Sequence, residues 1–223
     1  MMHQRISKKI IIYLFIFFTL VTINNTKLSN DFYLIRELNI DGLNISETKK
    51  VYDDLEIFKN DDIFSLNKKN ISDKIYSNKI VEKLDIFKIY PSTLNIEIKK
   101  TKFLAITKNN NNDYLVGTNG NLIKTKNNNS DLPYIFGNVD VANFLYLKEI
   151  IDNSNFKFNE IKNFYYFKSN RWDVTTKDGL TLRMPSNLTV EKLNFIFKII
   201  QRNNFKGDEI IDYRQNNMMV ING

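Results

Sequence analysis

The chain has 223 residues, a formal net charge of +7, 43% hydrophobic residues and a mean hydropathy of −0.34. This length and composition suit one large or two small folded domains and exclude a chain that is disordered throughout. The absence of cysteine excludes disulfides, thiolate catalysis and cysteine-ligated zinc, and the scattered lysines form no basic stripe that would predict nucleic-acid binding.

The first predicted element is an apolar helix near the amino terminus. Residues 10–23 (IIIYLFIFFTLVTI) contain no charge, no glycine and no proline. Such a helix covers about 21 Å at 1.5 Å per residue, which is shorter than the roughly 30 Å hydrocarbon core of a bilayer. Because this length also occurs in cleaved signal peptides, both an anchor and a signal peptide have to be considered.

Two features favour an uncleaved anchor. No small-x-small cleavage site lies between Val21 and Ser29, and lysines on both sides of the run can reach to the two interfaces and extend the span. Basic residues are more numerous before the run than directly after it, which keeps the short tail in the cytoplasm. We therefore predict a cytoplasmic tail over 1–9, a transmembrane helix over 10–27, and the rest of the chain outside the inner membrane.

The next stretch, residues 32–100, is predicted to fold in the order β-α-α-β-β. Hydrophobic periodicity and capping residues define its elements. They are a strand over Tyr33–Leu43 that stops at Gly42, a helix over Glu47–Leu55 capped by Ser46 that buries Val51 and Leu55, a helix through Tyr76 capped by Asn67 that buries Ile71 and Ile75, and strands over Val81–Ile89 and Leu94–Ile98.

Residues 101–223 read as a β-rich mixed α/β domain. Turn signals at Asn119-Gly120 and Asp178-Gly179 separate short apolar runs. The expected strands are 103–107, 114–117, 122–124, 161–167, 171–176 and 180–184, with helices near 141–152 and over 188–203. The chain closes with an antiparallel pair, 209–214 and 218–221, which we expect to form the edge of a sheet. The predicted class is therefore α+β.

Catalytic and metal-binding patterns are missing from the predicted folded part. His3 is the only histidine and lies in the predicted tail, which excludes histidine-based catalysis. The acidic pairs Asp53-Asp54 and Asp61-Asp62 match no calcium loop and read as a solvated helix end and a turn. Three Ser-x-x-Lys matches lack the accompanying Lys-Thr-Gly. We expect no enzyme activity, cofactor, metal or small-molecule substrate.

Several short motifs resemble the FtsQ/DivIB cell-division family. In the first region these are LNIDGL at 38–43, IFSL at 63–66 and YPSTLNIEI at 90–98, which resemble the POTRA domain of that family. In the second region they are YLV at 114–116 before Asn119-Gly120, Leu132-Pro133 with Gly137, Trp172 with Gly179, and DYR at 212–214. The order and spacing of the motifs cover essentially the whole chain.

The resemblance implies a non-enzymatic scaffold for septum assembly. Such a protein would recruit the single-pass division proteins FtsB and FtsL in the periplasm by β-strand addition to its closing edge, and other divisome proteins through its POTRA domain. The partner-binding residues carried over are Arg171, Trp172, Arg214, Gln215, Asn217, Met218, Met219 and Val220. Arg171 is expected to pair with a partner charge, and Trp172 is either an interface residue or a core residue.

Two other interpretations remain open at this point. The chain could be a membrane-anchored POTRA-type periplasmic accessory of a transport or secretion system, which would bind unfolded outer-membrane protein or a barrel. It could also be an envelope enzyme of unrecognised type. Depletion of the protein from cells separates the division scaffold from the transport accessory. Filamentous cells would indicate a division role, and an outer-membrane defect would indicate a transport role.

Overall fold

A computed structural model describes residues 8–25, 33–126, 131–138, 140–203, 205, 209–215 and 218–222. The chain divides into two compact units, Met1–Ile75 with Leu84–Ile98, and Tyr76–Lys83 with Lys99–Gly223. His3, most of the predicted tail and the last two residues of the predicted anchor lie outside the described residues.

The apolar run near the amino terminus is helical, forming α1 over Lys8–Asn25. Its large apolar side chains from Ile10 to Val21 are exposed over the whole circumference, with the more exposed ones reaching 69% at Tyr13 and Phe15. Within the described ranges, no helix combines the length and the apolar character needed to cross a membrane.

The first unit is built in the predicted order. Its elements are β1 (Glu37–Asp41), α2 (Ile45–Leu55), α3 (Lys68–Tyr76), β2 (Val81–Ile89) and β3 (Thr93–Lys100). The strands form a three-stranded sheet in the order β1-β3-β2, with β1 parallel to β3. The strand predicted over Tyr33–Leu43 is therefore shorter than expected.

The cap of α2 differs from the prediction. Asn44, not Ser46, is the N-cap: its Oδ1 accepts the Glu47 N–H at 2.9 Å, and its own N–H donates to Glu47 Oε2 at 3.4 Å. This reciprocal pair is a capping box, and it starts the helix two residues earlier than predicted. The predicted cap of α3 is confirmed, because Asn67 Oδ1 accepts the Lys69 N–H at 2.9 Å.

The apolar faces of the two helices are buried as predicted. Val51 and Leu55 on α2, and Ile71 and Ile75 on α3, are all within the core. The sheet contributes the alternate residues of β3, which are Leu94, Ile96 and Ile98. Period 3.6 on the helices and period 2 on the strand thus give one shared apolar layer.

The second unit contains one large sheet. Its elements are β4 (Phe103–Asn109), β5 (Asn112–Gly117), β6 (Leu122–Thr125), β7 (Tyr134–Phe136), α4 (Val141–Asp152), β8 (Ile161–Phe167), β9 (Arg171–Thr176), β10 (Thr181–Arg183), α5 (Val190–Asn203), β11 (Ile210–Gln215) and β12 (Met218–Asn222). The strand order is β12-β11-β10-β9-β8-β7-β4-β5-β6. The closing pair β11 and β12 is antiparallel, as predicted.

Both helices of this unit contribute to one hydrophobic core with the sheet. Phe144 and Leu147 of α4 and Ile196 of α5 are almost fully buried, together with strand residues such as Phe164 and Trp172. Because side chains alternate along each strand, this packing leaves the residues between the core positions on the opposite face. The sequence analysis did not predict strand β7 or any of the parallel pairings, among them that of β10 with β11.

Candidate partner-binding edge

The last strand, β12, forms one edge of the nine-stranded sheet. It pairs with β11 so that Ile221 lies opposite Ile211 and Val220 opposite Asp212. In the described part of the chain, no strand pairs with the other side of β12. An edge strand presents N–H and C=O groups that a further extended segment can pair with.

The side chains of β12 divide between the two faces of the sheet. Val220 shares a face with its cross-strand partner Asp212, and Met218 lies two residues earlier on the same face. These two side chains are 46% and 56% exposed. Met219 points the other way and packs against the core of the unit. The edge therefore combines a backbone side to which no other described strand pairs with exposed apolar side chains beside charged ones.

Arginine and aspartate side chains from three adjacent strands meet next to this edge. Arg214 donates hydrogen bonds to Asp212: its Nε lies 2.8 and 2.9 Å from the two carboxylate oxygens, and its Nη2 contacts Oδ2. Arg183 Nη1 lies 3.7 Å from the same carboxylate. Arg171 Nε lies 3.2 Å from Asp173 Oδ1. These three arginines and two aspartates form the arginine cluster. Its formal net charge is one positive charge.

The two aspartates of the cluster have opposite electrostatic environments. Hydrogen bonding from the Arg214 side chain lowers the pKa of Asp212 below its ordinary value, against a smaller opposing effect of burial. Burial raises the pKa of Asp173, and the nearby Arg171 opposes this only in part. Arg214 thus favours the carboxylate form of Asp212, whereas burial disfavours the charged form of Asp173.

An open groove runs beside β12 on this face. It has a volume of about 460 Å³. Its walls combine guanidinium, carboxylate and apolar groups from Arg171, Asp212, Arg214, Gln215, Met218 and Val220. Such a groove fits the side chains of an extended peptide that carries both acidic and apolar residues.

The structure separates the two neighbouring candidates Arg171 and Trp172. Arg171 reaches the groove, with its Cζ 4.3 Å from the centre of the Phe167 ring and 22% of its side chain exposed. Trp172 points to the opposite face, is only 7% exposed, and lies 4.7 Å from the Tyr166 ring. Strand alternation is the cause, so Trp172 is a core residue and its candidacy as an exposed binding residue is withdrawn.

The remaining candidates are placed as follows. Arg214 and Gln215 are exposed at the end of β11, and Gln215 lies opposite Met218 after an irregularity in the register. Asn217 lies outside the described residues. Sequence reasoning missed Asp173 and Arg183, because their relation to Asp212 depends on cross-strand register. Alternation along the strand could have placed Asp173 beside Arg171, but nothing local places Arg183 opposite Asp212.

The acidic pairs do not come together as a metal site. Within the described ranges, no group of three or more histidine, cysteine, aspartate or glutamate residues could hold a metal ion. Asp53 and Asp54 are exposed on α2, and Asp54 lies 3.9 Å from Lys74 Nζ. Asp62 is exposed in an isolated β-bridge with Leu34, directly before a turn, and its Oδ1 accepts the Phe64 N–H at 2.7 Å.

Comparison with known proteins agrees with this architecture in both units. A family model described as "POTRA domain, FtsQ-type" matches residues 34–100, and one described as "Cell division protein FtsQ/DivIB, C-terminal" matches residues 105–214. A POTRA domain followed by this second domain defines a class of bacterial cell-division proteins. The chain belongs to the FtsQ/DivIB family, which separates it from the transport and secretion accessories considered from sequence.

Individual relatives carry the same names. The chain is 28% identical over 125 residues to the cell division protein DivIB of Clostridium botulinum strain Hall, covering 56% of this chain and 47% of that protein. It is 27% identical to DivIB of Bacillus subtilis over 54% of this chain and 46% of the relative. It is 22% identical to FtsQ of Rickettsia bellii over 73% of this chain and 62% of the relative. The chain thus spans about half the length of the DivIB relatives it matches in these two cases.

One solved structure is also similar. It is the major extracytoplasmic domain of the trans isomer of DivIB from Geobacillus stearothermophilus, with 18% sequence identity and a TM-score of 0.35. The similarity covers 47% of this chain and 98% of that structure.

Proposed function

We propose that this protein is a non-enzymatic scaffold of septum assembly that captures FtsB- and FtsL-like single-pass division proteins by β-strand addition to β12. The observation that carries the proposal is the position of β12 at the edge of the sheet, next to the groove of the arginine cluster. Backbone pairing would supply affinity, and the groove would select the side chains of the added strand. Other divisome proteins would bind through the POTRA domain.

The charge of the groove indicates what kind of segment would fit. The arginine cluster has one positive charge in excess, and Met218 and Val220 add apolar surface beside it. An incoming strand with one carboxylate facing Arg171 would neutralise the excess charge. An apolar residue of the same strand would cover the exposed side chain of Met218. Such complementarity mainly selects the partner and its register.

The location proposed for this activity is the outer side of the inner membrane at the division septum. Helix α1 is apolar around its circumference, and in the described part of the chain its side chains are exposed. A helix of this kind is stable in an apolar surrounding. With lysines extending the short apolar run at both ends, residues 10–27 would be a single-pass anchor with a cytoplasmic amino terminus. In the same proposal, the POTRA domain covers residues 32–100 and the β-rich domain covers residues 101–223.

Proline substitutions at adjacent β12 positions test the strand-addition mechanism. Successive residues of a strand direct their N–H groups to opposite sides, so Met219→Pro and Val220→Pro remove one inward and one outward donor between them. Met219→Ala and Val220→Ala are the matched controls, because they shorten the same side chains and keep the N–H group.

We expect one of the two proline variants to keep the melting temperature of its alanine control and yet lose capture of the FtsB-like partner in a pull-down from membranes. The other proline variant should lower the melting temperature, because it breaks a bond between β11 and β12. Capture that survives in both proline variants would reject strand addition at this edge.

A further inference from the structure

Three aromatic side chains of the first unit form an exposed cluster. The Phe64 ring lies 5.0 Å from the Tyr33 ring and is stacked on the Tyr90 ring at 4.7 Å. Phe64 is 56% exposed and Tyr90 is 55% exposed. The partner-binding edge described above does not involve this aromatic cluster.

The local structure holds the aromatic cluster in its exposed position. The Ile63 N–H donates to the Tyr33 carbonyl at 2.9 Å, and the Ile63 side chain is fully buried. The Phe64 N–H donates to Asp62 Oδ1 at 2.7 Å. These bonds hold the backbone that leads into Phe64, and the Phe64 ring is exposed whereas the neighbouring Ile63 side chain lies in the core.

The composition of the cluster suits the boundary between water and lipid. Tyrosine has an apolar ring and a hydroxyl that stays hydrated, and tyrosine and tryptophan are enriched at that boundary. A cation accompanies the rings, because Lys88 Nζ donates to the carbonyls of Leu66 at 2.8 Å and Phe64 at 3.4 Å. The Lys88 ammonium can face a phospholipid phosphate, and the Asp62 carboxylate next to Phe64 offsets part of its charge.

The aromatic cluster lies close in sequence to α1, which indicates the membrane around α1 as its binding partner. Tyr33 follows Asn25, the last residue of α1, by eight residues, which can span at most about 29 Å even when fully extended. Glu37 and Thr93, at the start of β1 and β3, lie opposite each other, so the segments that precede them, with Tyr33 and Tyr90, enter at the same end of the sheet. The chain from α1 therefore arrives directly at the aromatic cluster.

We propose that the Tyr33–Phe64–Tyr90 cluster inserts into the headgroup layer of the membrane that holds α1, an inference that rests on the proposed anchor. The Phe64 ring reaches the acyl boundary, the tyrosine hydroxyls remain among the headgroups, and Lys88 faces their phosphates. This contact fixes which end of the POTRA domain faces the membrane.

Spin labels on single cysteines test this contact in the full chain reconstituted in phosphatidylglycerol and phosphatidylethanolamine nanodiscs. The chain has no cysteine of its own, so each introduced cysteine is the only labelled site. Phe64→Cys probes the cluster and Phe15→Cys probes α1. Ile45→Cys is the matched control: this residue is 92% exposed and follows the opposite end of β1. Accessibility to lipid-soluble oxygen and to a water-soluble nickel complex is measured for each label.

The expected result is an oxygen-to-nickel accessibility ratio several-fold higher at position 64 than at position 45, with the highest ratio at position 15. A lipid-like ratio at position 15 together with equal, water-like ratios at 64 and 45 would overturn the headgroup contact and leave the anchor standing. A label at 64 that is immobile and shielded from both reagents would also overturn it, because the ring would then be packed against protein. A water-like ratio at position 15 would contradict the anchor and this contact with it.

Discussion

Arg214 and Asp212 form a hydrogen-bonded ion pair on the surface beside β12, in which the guanidinium Nε lies within 2.9 Å of both carboxylate oxygens. The two residues are only two positions apart on β11, where the pairing with β12 is irregular. Because Arg183 from the neighbouring strand also approaches Asp212, this carboxylate joins β10 to β11 next to the proposed binding edge.

Replacing Asp212 by asparagine should change the acid sensitivity of the protein. Hydrogen bonding from Arg214 lowers the pKa of Asp212 in the folded state, so the carboxylate stabilises the fold above its unfolded pKa of about 3.9. That stabilisation disappears as the pH falls through the lowered folded value. We expect Asp212→Asn to be less stable than wild type at pH 7 by about 1–2 kcal/mol, as for a lost charged hydrogen bond, and the difference to shrink towards pH 3.

Urea unfolding at pH 7, 5, 4 and 3 measures this difference. Glu149→Gln on α4 is the control, because it neutralises an exposed carboxylate by the same chemical change. A stability difference between Asp212→Asn and wild type that is constant over this pH range would contradict the ion-pair assignment.

Reversing the charge of Arg171 should weaken partner capture. Because Arg171 also pairs with the buried Asp173, the variant should lose stability as well, and its thermal unfolding is measured beside its binding. The guanidinium lines the groove next to β12, and a glutamate there would repel the carboxylate that we propose in the incoming strand. We expect Arg171→Glu to lower affinity on the order of tenfold or more, as for loss of an interfacial charge pair. Arg202→Glu on α5 makes the same charge change at an exposed site and should bind like wild type. Titration of the full chain in nanodiscs with an FtsB-like partner is the measurement, and equal affinities of the two variants would contradict the role of Arg171.

Truncating Trp172 should act on stability, not on a contact surface. The indole is buried among Phe144, Phe164 and Tyr166, so Trp172→Ala leaves a cavity and should cost about 3–5 kcal/mol. Tyr146→Ala removes a ring that is 63% exposed and should change stability by about 0.5 kcal/mol or less. Chemical denaturation compares the two. A Trp172→Ala variant as stable as wild type that fails to bind the partner would show that the indole is an interface group after all.

Adding a methyl group at Gly42 should disrupt the POTRA unit. Gly42 has φ +95°, and a Cβ there would lie 1.8 Å from the Ile98 carbonyl oxygen. Gly120 also has a positive φ, +78°, but the nearest atom to its added Cβ is 3.7 Å away. Gly120→Ala therefore tests the backbone strain alone, which costs about 1–3 kcal/mol. Thermal unfolding should show a larger loss for Gly42→Ala, and equal losses would mean that the contact with Ile98 relaxes freely.

Local patterns predicted most of the elements, and long-range pairing did not follow from them. Hydrophobic periodicity predicted helices α2 and α3 with their buried residues, and it predicted the antiparallel pair β11 and β12. The three-residue strand β7 was missed because it is too short to show alternation. The cap of α2 was misplaced because Asn44 and Ser46 are both favourable cap residues, and only the reciprocal bond with Glu47 distinguishes them.

The candidate site was predicted only where it is continuous in sequence. Arg214, Gln215, Met218, Met219 and Val220 could be recognised because they lie on two strands that are neighbours in sequence and pair with each other. Arg171 could be recognised by resemblance, whereas its neighbour Trp172 could not be assigned to a face until the packing against Phe144 was seen. The parallel register that brings Arg183 opposite Asp212 depends on a connection through α5 and has no local signal. The partner-binding role of these residues stays a prediction.

Photocrosslinking in growing cells tests the central claim most directly. A photoreactive amino acid is placed at Met218 or at Val220 on β12, and at Lys124 on β6, which forms the opposite edge of the same sheet. We expect positions 218 and 220 to crosslink to an FtsB-like single-pass division protein, identified by mass spectrometry, and position 124 to give no such product. Absence of that product from both β12 positions, or equal yield from β6, would contradict partner capture at this edge.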